Sequence, residues 1–227
     1  MIDNVSTEIQ PKKRNKHSHY SYKDFFLFNQ QEGTIIDWNG QQNLLLSEDF
    51  ILGLQSGLEK EVGDASAAVM YSIGLDWGKM MPRSSQGGSR KNLRQVLKQT
   101  HLLFLLETWW WPFTVQGWGK WELETESKQK GFIFINLFDS MVARTLGDLG
   151  KPVCHIYAGL FAGFFTSMTH RELGCIEIQC YAMGETFCKF LLGAHERIDA
   201  ASFWVNEGAS AKEIEQRLYH NETPAKR

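Results

Sequence analysis

Apolar residues at Phe50, Ile51, Leu54, Leu58 and Val62 recur at helical intervals behind Ser47-Glu48-Asp49, which supplies a cap and an acidic first turn. Gly63 ends this helix. A second is predicted from Asp64 through Trp77 and a third from about Ser89 to Glu107, separated by the loop Pro82-Arg83-Ser84-Ser85-Gln86-Gly87-Gly88. Upstream, Asn39-Gly40 stands between Thr34-Ile35-Ile36-Asp37-Trp38 and Leu44-Leu45-Leu46. Asn-Gly accepts positive φ at both positions, so a hairpin or strand pair is predicted near 24–46.

From Trp109 the pattern turns to strands. Phe113-Thr114-Val115 and Gly117-Trp118-Gly119 lead into Trp121 and Leu123 alternating with Lys120, Glu122 and Glu124, and Phe132-Ile133-Phe134-Ile135 follows a polar turn. Phe138 to Leu146 reads as helix, Gly150-Lys151-Pro152 interrupts, and a further helix is predicted from Val153 to about His170. Residues 172–193 read as strand again and 209–219 as a short amphipathic helix. The succession predicts an α+β domain, an antiparallel sheet with helices packed on it. The expected organisation is a polar arm over 1–23, a domain over 24–200 and a C-terminal helix and tail over 201–227.

Composition narrows the function classes. The 227 residues carry 24 basic and 26 acidic side chains, a net charge of -2, so no global field draws the chain to nucleic acid. No window reaches the roughly 20 apolar residues that span a bilayer, and the start lacks a charged segment followed by an apolar one. A cytoplasmic protein is expected, with the basic arm Lys12-Lys13-Arg14 and Lys16 as its one means of peripheral membrane contact.

The cysteines offer the sharpest chemistry. Cys154, Glu177, Cys180 and Cys188 form the pattern C-x22-E-x2-C-x7-C, four ligand types suited to tetrahedral zinc. Cys180 and Cys188 are symmetric about Gly184, so a hairpin with Met183-Gly184-Glu185 as its loop would set them opposite each other, with Cβ atoms about 4.5–5.5 Å apart. Cys154 follows Pro152 into a helix start, where the dipole favours a thiolate. Glu177 and Cys180 are an odd number of residues apart, and a regular strand points such a pair to opposite faces; sharing one ion requires a bend or bulge between them. Spacing alone leaves two readings open, a metal site and a set of buried free cysteines. Four protein ligands close the coordination sphere, so the metal reading is structural.

These residues carry a resemblance. Pro152-Val153-Cys154, the helix Ala158-Gly159-Leu160-Phe161-Ala162-Gly163-Phe164, and Glu177-x2-Cys180 followed by Ala182-Met183-Gly184-x3-Cys188-x-Phe190 resemble the 4-vinyl reductase domain family over roughly residues 40–195. That family includes a bacteriochlorophyll biosynthesis protein and aromatic-effector sensing domains, and is distantly similar to small TRAPP subunits. The resemblance implies a zinc ion held by Cys154, Glu177, Cys180 and Cys188, and an apolar pocket enclosed by helices and sheet. Ile133 stands where the aromatic sensors carry the tryptophan that reads phenol. Those regulators continue into ATPase and DNA-binding domains, so transcriptional activation by that route is not expected of this chain.

Three functions follow as expectations. The first is binding of a flat hydrophobic molecule, a tetrapyrrole or pigment, by some of Trp109, Trp110, Trp111, Phe132, Phe134, Tyr157, Phe161 and Phe164, in chlorophyll metabolism or photosystem assembly. The second is reduction of a vinyl group on a chlorophyll precursor, for which no G-x-G-x-x-G opens a helix after a strand, so no catalytic residue is assigned. The third is a protein adaptor resembling the TRAPP subunits. Ala158, Gly159, Ala162 and Gly163 recur at helical spacing and permit close helix approach, within the domain or across a homodimer.

Overall fold

Tyr157–Phe165 is an unbroken run of buried residues inside one helix, and a helix apolar on every side must be covered on every side. The computed structural model shows how, and it describes residues 22–37, 40–84 and 110–222. The third helix predicted over 89–107, Trp109 and most of the N-terminal arm lie outside the described residues.

The chain divides into two compact units, one ending at Leu45 and one beginning at Leu46. In the first, a single turn α1 (Tyr22–Phe25) precedes three antiparallel strands, β1 (Phe26–Asn29), β2 (Thr34–Asp37) and β3 (Gln42–Asn43), in that order. The second hairpin is centred where Asn39-Gly40 placed it. Ile35 pairs with Asn43 and Ile36 with Gln42, the Asp37 carboxylate accepts from Gln41 N at 3.0 Å, and Gly40 takes φ +83°.

The second unit contains α2 (Glu48–Val62), α3 (Ser66–Ser84), α4 (110–115), β4 (Lys120–Glu124), β5 (Phe132–Phe138), α5 (Met141–Leu146), α6 (His155–Thr169), β6 (Gly174–Gln179), β7 (Cys188–Gly193), α7 (His195–Asn206) and α8 (Ala211–Tyr219). The strands form one antiparallel sheet in the order β4-β5-β7-β6. The predicted α+β class with an antiparallel sheet is thus observed. One face packs Ile135, Leu137, Phe190 and Leu192 against α6. The other packs Phe132, Phe134, Ile178 and Leu191 against Ala201 and Trp204 of α7 and Ile214 and Leu218 of α8.

Three elements differ from the sequence reading. Residues 110–115 are helical and not a strand: Trp110 and Phe113 are the buried pair, three apart, which is the helical period. Phe138 closes β5 opposite Lys120, and the helix starts only at Met141, because Ser140 accepts from Ala143 N as its cap. Helix α7 was not anticipated; only Ala201 and Trp204 of it are fully buried, too sparse a stripe to read as a period.

α6 is held against α3 by glycines on both helices. A Cβ on Gly159 would lie 1.9 Å from Tyr71 O and one on Gly163 2.0 Å from Leu75 O, while one on Gly74 would lie 2.0 Å from Ile156 O and one on Gly78 2.2 Å from Leu160 O. The partners advance in the same direction along both helices, so α3 and α6 run parallel with their backbones in contact. The small-residue stripe of α6 therefore serves packing within the chain.

Lys189 lies on the α7–α8 side of β7, its side chain 9% exposed, at 3.1 Å from Glu124 and 2.6 Å from Glu215, and over the Phe134 ring. Burial alone would lower its pKa, but the two carboxylates outweigh it and the value is raised. A raised lysine pKa contributes stability that is fully present below the unfolded value of roughly 10.4 and fades as pH rises through the folded value. Lys189→Met is accordingly expected to lower unfolding free energy by about 1–2 kcal/mol, discounted because both carboxylates reach solvent. The deficit should be constant from about pH 6 to 9 in urea titrations.

Candidate metal centre

The sulfurs of Cys154, Cys180 and Cys188 and a carboxylate oxygen of Glu177 all lie within 4.8 Å of one another, and all four residues are buried. Each arrives by a separate local device. Cys154 is the residue before α6, and its carbonyl accepts from Tyr157 N and Ala158 N. Glu177 pairs with Phe190, whereas Gln179 pairs with Lys189, so the ladder gains one residue at Ile178. That bulge sends Ile178 to the α7–α8 face and leaves Glu177 and Cys180 on the same side, the bend that their odd spacing demands.

Cys180 and Cys188 face each other across the end of the β6–β7 ladder, as their symmetry about Gly184 predicts, but the connection is not a three-residue loop. Tyr181–Met183 form a 3-10 turn, closed by Gly184 at φ +84°. Ala182 is fully buried, and its carbonyl accepts from Leu149 N at 2.9 Å and Gly150 N at 2.7 Å. The turn thereby docks onto the loop that leads to Cys154.

Two distances test whether an ion fits. Cys154 Sγ to Cys188 Sγ and Cys188 Sγ to Cys180 Sγ are both 3.8 Å. A regular tetrahedron with metal–sulfur bonds of about 2.3 Å has edges of about 3.8 Å, whereas a disulfide would need about 2.05 Å. The carboxylate supplies a second test. Glu177 Oε2 accepts from Val153 N at 3.1 Å and Cys154 N at 2.8 Å, while Oε1 is buried with no hydrogen-bond partner among the described residues. An orphan carboxylate oxygen beside three sulfurs lacks only a cation to satisfy it.

Electrostatics agree with the geometry. Burial, and then its hydrogen bonds to the other sulfurs, push the Cys154 thiol well up. Burial and the neighbouring Cys180 charge push the Glu177 carboxyl up. Hydrogen bonds from Cys154 and then Cys188 pull Cys180 down, making it the sulfur that loses its proton first. Three buried anionic groups repel one another unless a dication compensates them.

Ser140 completes the surroundings and was not anticipated. It is fully buried, its Oγ lies 3.2 Å from Cys154 Sγ and accepts from Ala143 N at 3.2 Å. Its signal in the sequence is only that of a cap before Met141-Val142-Ala143. Because it both caps α5 and touches a ligand sulfur, Ser140→Ala should cost about 1–2 kcal/mol of stability by chemical denaturation. It should also weaken metal retention about tenfold or more in a competition with a chelator.

The residues read as one aromatic pocket are divided by the sheet. Trp110, Tyr157, Phe161 and Phe164 belong to the core on the α6 side, while Phe132 and Phe134 belong to the core on the α7–α8 side; Trp111 is half-buried and Trp109 lies outside the described residues. Members that the reading missed join the α6 side. Trp121 stacks on Phe113 at 4.7 Å, and meets Phe161 edge-on at 5.0 Å and Trp110 at 5.2 Å. Its indole Nε1 is buried without a hydrogen-bond partner among the described residues. A separate open cleft of about 620 Å³ passes Glu59, Asp64, Lys151, His155, Glu177 and Asn206. Among the described residues no helix is long and apolar enough to cross a membrane.

Residues 133–194 match the family model of the vinyl-4-reductase domain, the stretch that contains all four residues of the cluster. An uncharacterized protein of Methanocaldococcus jannaschii is 33% identical over 72 residues, which are 32% of this chain and 42% of that protein. A second from the same organism is 25% identical over 135 residues, 58% of this chain and 66% of that protein. The matched stretches thus span less than half of the first relative and about two thirds of the second. In structure, the chain is similar to the phenol-responsive sensory domain of the transcription activator PoxR, solved with phenol. The two are 17% identical with a TM-score of 0.60, covering 85% of this chain and 98% of that one, which is a likeness of fold. Over residues 133–194, then, the chain carries a vinyl-4-reductase domain, the family that the motif from Pro152 to Phe190 resembles.

Proposed function

We propose that this protein is a non-catalytic, zinc-stapled module that binds a small aromatic molecule on the α6 side of its sheet. The observation that carries the metal half is the set of three sulfurs at tetrahedral spacing beside an oxygen with no partner. Zinc suits three thiolates and one carboxylate, and has no redox chemistry to expose the sulfurs to. Its role is architectural: it would join the start of α6 to the bulged end of β6 and the start of β7. Four protein ligands leave no position for a substrate, which argues against hydrolysis or reduction at the ion.

The ligand half rests on Trp121. A buried indole N–H without an acceptor, inside a cage of aromatic rings, is an arrangement that a molecule with a flat apolar body and one oxygen acceptor would complete. The fold shared with a sensory domain solved with phenol supports the same class. The rings around Trp121 touch one another, which favours a molecule of one or two rings over a tetrapyrrole.

The test is a purified chain analysed by elemental mass spectrometry and by tryptophan fluorescence against phenol, indole and porphyrin. One zinc per chain and saturable quenching by a single-ring compound, reduced in Trp121→Phe, are expected. A chain free of bound metal after expression in zinc-supplemented medium would remove the first half. Binding unaffected by Trp121→Phe, or limited to the porphyrin, would remove the second.

A further inference from the structure

Three helices of this chain carry two glycines four residues apart. In α3 and α6 the pairs meet each other's backbone; in α2 the pair Gly53 and Gly57 meets nothing among the described residues, for a Cβ at either would have no atom within 4 Å. A glycine inside an exposed helix costs about 1 kcal/mol relative to alanine, and α2 carries two that no described part of the molecule uses. Their surroundings are ordered as well. At roughly 100° per residue, Asp49, Gly53, Gly57 and Lys60 fall within one arc of roughly 80°, and all four are exposed. The buried Ile51 lies on the opposite side of the helix. Phe50, 50% exposed, and Leu52, 42% exposed, flank the arc on its two sides.

The charges along this arc decide what covers it. It begins with Asp49 and ends with Lys60, eleven positions on, with the glycines between. Turned end for end, such a face is its own complement: Asp49 of one copy meets Lys60 of the other, the glycines let the backbones approach at the crossing, and Phe50 and Leu52 close over the sides. A partner of different sequence would need this arrangement supplied to it, whereas a second copy already has it.

We propose that α2 is the surface on which two copies of this chain pair, antiparallel about a two-fold axis. The pairing goes beyond the small-molecule reading and does not depend on it.

Sedimentation equilibrium of the full zinc-replete chain tests it. The wild type should show a monomer–dimer equilibrium. Asp49→Lys and Lys60→Asp should each weaken self-association about tenfold or more, since each sets like charges opposite each other twice. An equimolar mixture of the two variants should recover wild-type association, because one variant is then basic at both ends of the arc, the other acidic at both, and each end meets its opposite. Gly57→Leu should abolish the dimer while the monomer's thermal unfolding stays unchanged or rises, as its side chain enters open space. A chain that stays monomeric at every concentration, a dimer indifferent to either charge reversal, or a mixture that fails to recover would each overturn the proposal. Metal content and fluorescence titration remain separate readouts, so loss of the dimer does not bear on either half of the proposed function.

Discussion

Gly159→Ala should unfold most of this protein at temperatures where the wild type is fully folded. One methyl group is added, yet it would sit 1.9 Å from the carbonyl oxygen of Tyr71 and 2.8 Å from Leu75 N, both backbone atoms of α3. A flexible side chain can turn aside, but two helix backbones in contact cannot yield without separating along their length. Alanine is the better helix former by about 1 kcal/mol, so propensity alone predicts a gain. The collision reverses the sign, and a loss of about 4 kcal/mol or more is expected, beyond the usual range for a single substitution. Gly74→Ala, facing Ile156 O at 2.0 Å from the other side, should match it. Gly53→Ala supplies the contrast at protein concentrations low enough for monomers: with nothing within 4 Å it should stabilise by about 0.5–1 kcal/mol. Urea unfolding followed by circular dichroism measures all three. Equal behaviour of Gly159→Ala and Gly53→Ala would mean that the seam between α3 and α6 is looser than described.

The second large effect concerns the cluster. Cys180→Ser should lower stability by about 4 kcal/mol, a drop of roughly 10 °C in Tm for a chain of this size. It replaces the most acidic of the three thiols by a hydroxyl that stays protonated and ligates zinc poorly. The informative comparison is with metal removal. A strong chelator should bring the wild type down to the level of Cys180→Ser and leave the variant where it was. Glu177→Gln should fall between them, because its side chain can still accept from Val153 N and Cys154 N but no longer brings a negative charge to the ion. Lower pH should act like the chelator, since thiolates and carboxylate must shed protons to bind metal and retake them when it leaves. Were the chelated wild type to unfold at its original temperature, the ion would have no structural part to play.

How far the sequence discloses this site depends on which residues are asked. The cluster is legible because its constraints are local. Cys180 and Cys188 are symmetric about a glycine, and the odd interval from Glu177 to Cys180 forces an irregularity that the structure places at Ile178. The form of the connection was not legible, because a three-residue loop and a 3-10 turn both suit Gly184. Ala182 decides between them through bonds to Leu149 and Gly150, some thirty residues back. The aromatic residues are the opposite case. Phe132-Ile133-Phe134-Ile135 is apolar at every position because both faces of β5 are covered, and covering both faces erases the alternation that would tell one side from the other. Grouping Phe132 and Phe134 with Phe161 was therefore a choice that the pattern could not inform. Gly74 and Gly78 passed unnoticed for a related reason: a glycine reads as a weak spot in a helix until its partner helix is known.

That partner is distant along the chain. Tyr71 meets Gly159 and Leu75 meets Gly163, so the tightest contact among the described residues closes a loop of more than eighty residues. Loop-closure entropy of that size is met early, while dispersion between two smooth helix surfaces is gained only once they are fully seated. The seam consequently belongs to the last stage of folding. Its strength governs how long the native state survives more than how quickly it is reached, and damage there should show as faster unfolding with an almost unchanged folding rate.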